Sequence, residues 1–274
     1  MPDVAELIPL VTTLLAFSAF AGVLAGLLGV GGGIVLVPGY FYLLSSLGYD
    51  GPQLMQVCVA TSLATIVVTS VRSVQSHHKK GSVNWEMLRA WTPGIALGAV
   101  VGVWIASELK SVTLQGIFGS LGLLVGLYMA FGRPHWRLGD VLPRGVVGYV
   151  TSLVVGFLSV LMGIGGGAFC VPYQTLFNVP IHRAVATAAG LGALIAVPSA
   201  IGFLFVEIEP SSKPPLTFGA INVVAFGLTI SMTLLTAPLG AKLAHWMDPK
   251  PLKRAFAFFL ICVAGNMLRG VFLA

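Results

Sequence analysis

The chain has 274 residues, of which 57% are hydrophobic and only 9% are charged, and its formal net charge is +6. Soluble globular domains carry roughly 25% charged residues, so this chain lacks the charge to cover a water-exposed surface. The composition therefore excludes a soluble enzyme and a disordered chain, and it favours an all-α integral membrane protein in contact with the lipid bilayer. The basic residues are scattered between apolar runs, which does not favour nucleic-acid binding.

Ten apolar runs divide the chain, and a helix needs about 20 residues to cross a bilayer. Most of the runs are long enough, but Ile34–Leu47 and Ala168–Phe177 would extend only roughly 21 and 15 Å as helices. Each short run directly follows a glycine triplet, which predicts a broken or re-entrant helix. We expect the leading run to be a membrane segment, because Asp3 and Glu6 stand where a cleaved signal peptide has positive charge. In chain order the runs are Ile8–Val30, Ile34–Leu47, Leu54–Gln75, Met87–Ala106, Leu114–Phe131, Val146–Ile164, Ala168–Phe177, Ala184–Val206, Phe218–Ala244 and Ala255–Phe272.

The basic residues also predict the orientation of the chain in the membrane. Twelve of the fifteen Lys and Arg residues fall at one set of connections, and only Lys110, Lys213 and Arg269 fall at the other. Because cytoplasmic connections carry the excess of positive charge, the first set is predicted to be cytoplasmic. The sequence thus predicts a multi-pass protein of the cell membrane with both termini on the extracytoplasmic side.

An internal repeat relates the two halves of the chain. Leu24–Pro38 and Leu158–Pro172 are identical at eight of fifteen positions, and Val59–Thr61 recurs as Val185–Thr187. The repeat predicts two units of about five helical segments each, residues 1–132 and 144–274, joined by a short cytoplasmic linker at 133–143. An odd number of crossings per unit turns the second unit over, and such inverted-topology repeats are typical of transporters whose substrate site lies near the membrane midplane.

The two glycine triplets are the strongest candidates for a substrate site. A helix that starts after such a break has unpaired N–H groups, and its positive end stabilises an anion by about 0.3–1 kcal/mol, and by up to ~2 kcal/mol when partly buried. Glycine also allows an anion to approach the backbone closely. The alternative is that the glycines merely allow close helix packing. The predicted substrate-binding glycines are Gly31, Gly32, Gly33, Gly165, Gly166 and Gly167.

With its duplicated GxGGG…VP motif and repeated Val-Ala-Thr, the chain resembles the TauE/SafE family, whose members are described as sulfite and organosulfonate exporters. The resemblance extends through both halves and implies transport of sulfur-containing oxyanions such as sulfite or sulfoacetate. It places the family motif on Gly31–Gly33 with Pro38 and on Gly165–Gly167 with Pro172. The two copies differ after the Val-Ala-Thr repeat, where Ser62 is replaced by Ala188.

Further polar residues are predicted to contact the substrate or to control its access. Hydroxyls in membrane helices commonly bond back to their own backbone, but Thr61 and Thr187 are duplicated, which favours a role in the site. Arg183 opens a helix at the basic side and would attract anions to the cytoplasmic mouth. The predicted substrate contacts beyond the glycines are Thr61, Ser62, Tyr173, Gln174 and Thr187, and the predicted gating or anion-attracting residues are Pro38, Pro172 and Arg183.

The acidic residues bear on the energy source, because proton-driven transporters usually hold an ionisable residue within the membrane. All nine Asp and Glu residues fall at the ends of the apolar runs or between them. An inside-negative potential drives anions outward by about 2.3 kcal/mol per charge per 100 mV. The sequence therefore predicts a secondary transporter that exports a small sulfur-containing oxyanion by alternating access, with the anion held between the starts of the two half-helices.

Two other functions stay open. One is a passive anion channel that uses the same helix ends. The other is a membrane-embedded enzyme with His77, His78 and His182 as metal ligands, although the histidines are better explained as orientation anchors. Because no catalytic set shares a span, the sequence predicts no enzyme activity, no cofactor and no metal; a homodimer is compatible with it.

Overall fold

The structure is a computed structural model that describes residues 4–28, 31–132, 136–246 and 249–273. The described residues form ten α-helices, one short 3-10 turn at Pro210–Ser212 and one antiparallel pair of two-residue strands, β1 (Thr217–Phe218) and β2 (Ile221–Asn222). The helices are α1 (Val4–Leu28), α2 (Gly33–Ser46), α3 (Leu54–Lys79), α4 (Trp85–Glu108), α5 (Ser111–Phe131), α6 (Gly145–Leu161), α7 (Gly167–Leu176), α8 (Ile181–Leu204), α9 (Val223–Trp246) and α10 (Pro249–Leu273).

Five of these helices are long and apolar enough to cross a membrane: α3, α4, α5, α8 and the Val223–Gly240 part of α9. Large apolar side chains stay exposed on the outer helices, for example Trp104 on α4, Leu124 on α5 and Leu235 on α9. Exposed apolar surface of this extent fits contact with lipid. The predicted all-α membrane architecture is confirmed, with the short helices α2 and α7 directly after the glycine motifs.

One predicted run is not helical along its whole length. Residues 217–222 at the start of the Phe218–Ala244 run form the β1–β2 hairpin, which turns through Gly219 at a φ of 54°. The helix begins only at Val223, because the side-chain oxygen of Asn222 accepts a hydrogen bond from the amide of Ala225 at 2.9 Å. This N-cap satisfies an amide that the first turn leaves unpaired, and it fixes the start of α9.

The centre of the bundle is formed by α3 and α8, which cross in opposite directions. Val74 of α3 contacts Gly190 of α8, and Ser70 contacts Gly192. The apolar part of α3 is 83% buried, compared with 22% for that of α9. A broken helix leaves backbone groups unpaired, and within a membrane such groups must be enclosed by protein or line a cavity. The buried α3–α8 centre can therefore accommodate a broken helix.

The remaining helices pair around this centre: α1 with α9, α4 with α6 and α5 with α10, while α2 packs on α3 and α7 on α8. In the predicted repeat, each of the helices α1–α5 corresponds to the helix numbered five higher. Exchanging counterparts turns the α1–α9 pair into the α6–α4 pair, and it leaves the α3–α8 and α5–α10 pairs unchanged. Contacts of Gly119 with Leu268 and of Gly126 with Ile261 show that α5 and α10 are antiparallel. The inverted repeat stays a prediction, which these pairings support.

Glycine allows the close approach of α1 and α9, and this packing yields a test. A methyl group at Gly240 would overlap the backbone of Val23, whereas one at Gly227 of the same helix would meet open space. We expect Gly240→Ala to lower the free energy of unfolding by about 1–3 kcal/mol, and Gly227→Ala to leave it unchanged or raise it by up to about 1 kcal/mol. Thermal unfolding in detergent measures both, and equal effects would contradict the α1–α9 packing.

Candidate functional site

The two glycine motifs meet at the centre of the molecule. A Cβ atom at Gly33 would overlap the carbonyl oxygen of Gly163 and lie 2.9 Å from the Cα of Ile164. A Cβ atom at Gly31 would lie 3.9 Å from the Cα of Gly165. The start of α2 therefore abuts the turn before α7 with no room for side chains between them. Gly29 and Val30 lie outside the described residues.

Backbone conformation requires glycine at the turn into α2. Gly31 and Gly32 have φ values of 75° and 78°, in the left-handed region that residues with a Cβ rarely adopt. Gly163, in the turn before α7, has a φ of 64°. The motif thus lets the chain stop one helix and start another within a few residues at the bundle centre.

The start of α7 presents amides that no backbone group satisfies. The amides of Phe169 and Cys170 both donate to the carbonyl of Gly166, and that of Gly167 donates to Gly165. Among the described residues, the amides of Gly165, Gly166 and Ala168 donate to no backbone carbonyl. Because an unpaired buried N–H group costs about 1–3 kcal/mol, these amides are suited to bind an acceptor such as an oxyanion.

Ser62 of α3 holds the second motif in place. Its hydroxyl donates to the carbonyl of Gly163 at 2.8 Å, and the side chain is fully buried. Ile66, one turn further along α3, packs against both Gly31 and Gly33. Ser62 therefore lies at the glycine motifs and connects α3 to the second motif, whereas its contact with substrate stays a prediction.

The duplicated threonines bind the starts of helices in the opposite unit. The hydroxyl oxygen of Thr61 accepts a hydrogen bond from the amide of Asn222 at 3.0 Å. That of Thr187 accepts one from the amide of Asn84 at 3.1 Å. Asn84 caps α4 as Asn222 caps α9, with its side-chain oxygen accepting from the amide of Met87. A contact of either threonine with substrate stays a prediction.

Tyr173 and Gln174 lie near the other end of α7, six and seven residues after Gly167 and thus about 9 and 10 Å along the helix. The ring of Tyr173 packs between Trp91 and Phe177. The amide group of Gln174 donates to the carbonyls of Cys170 and Ala184, at 3.1 and 3.3 Å. The structure does not bring either side chain to the glycine motifs.

The predicted gating residues lie away from the free amides. Pro38 and Pro172 are inside α2 and α7, which continue through them. Arg183 is exposed in the first turn of α8, nine residues before Gly192 and thus about 13 Å along the helix from the motif. Arg183 therefore lies outside the glycine motifs, and its role in attracting anions stays a prediction.

Sequence reasoning missed a buried hydroxyl cluster beside α2. The Tyr40 hydroxyl donates to the Thr229 hydroxyl at 2.7 Å, which is 3.0 Å from the Ser18 hydroxyl. It also missed the buried side-chain oxygens of Gln56 and Ser159, which have no partner among the described residues. The side-chain oxygen of Gln174, a predicted substrate contact, has none among them either. No sequence signal marks the cluster, because it joins residues about 200 positions apart. An Asn directly before an apolar run, by contrast, signals an N-cap and could have identified Asn84.

Most of the two glycine motifs is buried in this conformation, and only Gly31 of the described glycines in them is partly exposed. Gly32, Gly33 and the whole segment 163–168 are buried. Within the described ranges, no three His, Cys, Asp or Glu residues come close enough to hold a metal ion. His78, considered above as a ligand, accepts a hydrogen bond from the Trp85 ring at 3.2 Å. An anion can reach the free amides only if the helices around them separate.

Comparison with known proteins gives one family and several relatives. The family model described as Sulfite exporter TauE/SafE matches residues 14–267. A Probable membrane transporter protein of Haemophilus influenzae is 32% identical, over 92% of this chain and 96% of its own. Similarly named proteins of Bacillus subtilis and Methanocaldococcus jannaschii are 29% and 24% identical, over 94% and 90% of this chain and 98% and 91% of their own. No solved structure matches the chain significantly.

The threonine contacts yield a second test. Thr61→Val leaves the buried amide of Asn222 without its acceptor, which should lower the free energy of unfolding by about 1–3 kcal/mol. Thr187→Val removes the acceptor of the Asn84 amide, and its effect should be smaller because Asn84 is exposed. Thr92→Val is the control, because the Thr92 hydroxyl donates only to Leu88 of its own helix. Thermal unfolding with and without sulfite measures the effects. If the Thr61 and Thr187 variants are as stable as Thr92→Val, the capping role is contradicted. If sulfite no longer stabilises one of these variants, the replaced threonine also contacts the anion.

Proposed function

The chain belongs to the sulfite exporter TauE/SafE family, and from this premise we propose that it exports a small sulfur-containing oxyanion, sulfite or an organosulfonate such as sulfoacetate. It is a multi-pass membrane transporter, as its relatives' names and its apolar helices indicate. The observation that carries the proposal is the pair of glycine motifs that meet at the α3–α8 centre, with three free amides at the start of α7.

The chemistry of the free amides fits an oxyanion. Sulfite and sulfonate groups each present three oxygens, which accept hydrogen bonds from several N–H groups at once. The start of α7 adds the positive end of a helix dipole, and no Lys or Arg is among the buried residues of the described chain. A site of backbone dipoles without a full positive charge binds an anion yet allows its release.

Alternating access is the transport mechanism that the arrangement favours. The two motifs come from different halves of the chain, and they are buried except for Gly31, which is partly exposed. Rocking of one unit against the other would open the space between them first to one side and then to the other. A permanently open pore would instead leave the motifs in contact with water, so the buried site favours a carrier over a passive anion channel.

The membrane potential is the proposed driving force. Among residues whose burial the structure describes, no Asp or Glu is buried, so this part of the chain offers no carboxylate relay for protons. Exporting one negative charge from an inside-negative cell releases about 2.3 kcal/mol per 100 mV. Export of the anion thus requires no coupled ion.

Transport by liposomes at a clamped potential tests this driving force. We expect sulfite to accumulate on the positive side about 40- to 50-fold per 100 mV for each charge carried, since 1.4 kcal/mol corresponds to a factor of ten. Saturable counterflow would support the carrier, whereas unitary currents would show a pore. Flux that ignores the potential and follows the proton gradient would contradict potential-driven export.

Substitution at the second motif tests the binding site. A methyl group at Gly166 would lie 3.0 Å from the Ile195 side chain and 3.3 Å from the Cys170 sulfur, so its neighbours can adjust while it covers the free amides. We expect Gly166→Ala to weaken sulfite binding by about tenfold to thirtyfold, the equivalent of a helix-dipole contact of up to ~2 kcal/mol. Isothermal titration measures the affinity. Gly265→Ala, in open space on α10, is the control, and equal affinities would place the site elsewhere.

A further inference from the structure

A second candidate site lies at the end of the bundle where α10 finishes. A cavity of about 390 Å³ opens between the end of α2, the starts of α3 and α5, and the end of α10. Its volume is within the range of small-molecule sites. Tyr42 in its wall lies nine residues after Gly33, about 13 Å along α2, so the cavity is separate from the glycine motifs. Its polar lining includes Tyr42, Asp50, Ser111, Gln115, Asn266 and Arg269.

Two opposite charges line this cavity without neutralising each other. Arg269 and Asp50 are both exposed, and neither forms a salt bridge within the described part of the chain, where Glu86 and Arg144 pair elsewhere at 3.1 Å. The cavity therefore offers a guanidinium that can hold an oxyanion and a carboxylate that can accept hydrogen bonds from an ammonium group.

Neutral groups complete the lining. The Asn266 side chain donates to the Tyr42 hydroxyl oxygen at 2.7 Å, which leaves the Tyr42 hydrogen free to donate. The Ser111 hydroxyl oxygen accepts from the amide of Met55 at 3.1 Å, so its hydrogen is free as well. Both hydroxyls can add hydrogen bonds to an oxyanion held at Arg269.

The position of the cavity suggests what fills it. Arg269 lies four residues before the end of α10 at Leu273, and Tyr42 is close to the end of α2. Arg and Tyr at such positions lie at the level of the lipid headgroups. A phosphoethanolamine headgroup carries a phosphate and an ammonium group a few ångströms apart, and small aminoalkyl phosphates and sulfonates have the same chemistry.

We propose that this cavity binds a zwitterion, with its phosphate or sulfonate group on Arg269 and its ammonium group on Asp50. A simple anion gains the attraction of Arg269 but is repelled by Asp50, so the cavity prefers a ligand that carries both charges. This site is independent of the oxyanion site at the glycine motifs.

Thermal unfolding of the purified protein in detergent, titrated with defined lipids, tests the proposal. We expect phosphatidylethanolamine to bind at least tenfold more tightly than phosphatidylglycerol, which has the phosphate without the ammonium. Arg269→Gln should weaken binding of both lipids, whereas Asp50→Asn should weaken phosphatidylethanolamine and strengthen phosphatidylglycerol. The matched controls are Arg254→Gln and Glu207→Gln, which change exposed charges outside the cavity.

Further arms identify the source of the zwitterion. If soluble phosphoethanolamine competes as strongly as the lipid, the ligand is a free solute; if only the lipid binds, it is a headgroup. Equal affinity of the unchanged protein for the two lipids, or an Asp50→Asn variant that keeps the original preference, overturns the proposal. Gly166→Ala should leave lipid binding unchanged, so failure of the oxyanion site and failure of this site are distinguished.

Discussion

The need to satisfy backbone amides inside a membrane governs this structure. Lipid offers no hydrogen bonds, so a helix can be broken only where protein or a cavity encloses the break. The chain breaks twice, at Gly31–Gly33 and at Gly163–Gly167, and the two breaks meet between α3 and α8. Each break is enclosed by the other and by the central helices. In the proposed function, the free amides at the start of α7 form the binding site, at the depth where a transporter holds its substrate.

The same arrangement couples the two halves of the chain. In a membrane no hydrophobic force drives helices together, so close packing and hydrogen bonds must hold them. Glycine provides the packing between α1 and α9 through Gly22 and Gly240. The hydrogen bonds from Asn222 to Thr61 and from Asn84 to Thr187 tie each central helix to the start of a helix in the other half. These hydrogen bonds join α3 to the start of α9 and α8 to the start of α4.

Much of this could be predicted from the sequence, because a membrane imposes long apolar runs and makes a glycine triplet conspicuous. The positions of the helices and of the two breaks follow from that constraint alone. The hairpin at 217–222 could not be predicted, since its residues continue an apolar run and only the Asn222 cap separates them from α9. The contact of Tyr40 with Thr229 joins α2 to α9, which are far apart in sequence, and no local pattern encodes it.

The two halves also differ in ways that matter for a carrier. Ser62 bonds to the second motif, while its counterpart Ala188 has no hydroxyl for the first. At the position in α7 that matches Tyr40 in α2 stands Gln174; Tyr40 bonds to α9, and Gln174 bonds to α8. Units with identical side chains would make the inward-open and outward-open states equal in free energy. In the proposed alternating-access cycle, these different anchors would favour one state at rest, and the substrate would supply the difference in binding free energy that populates the other.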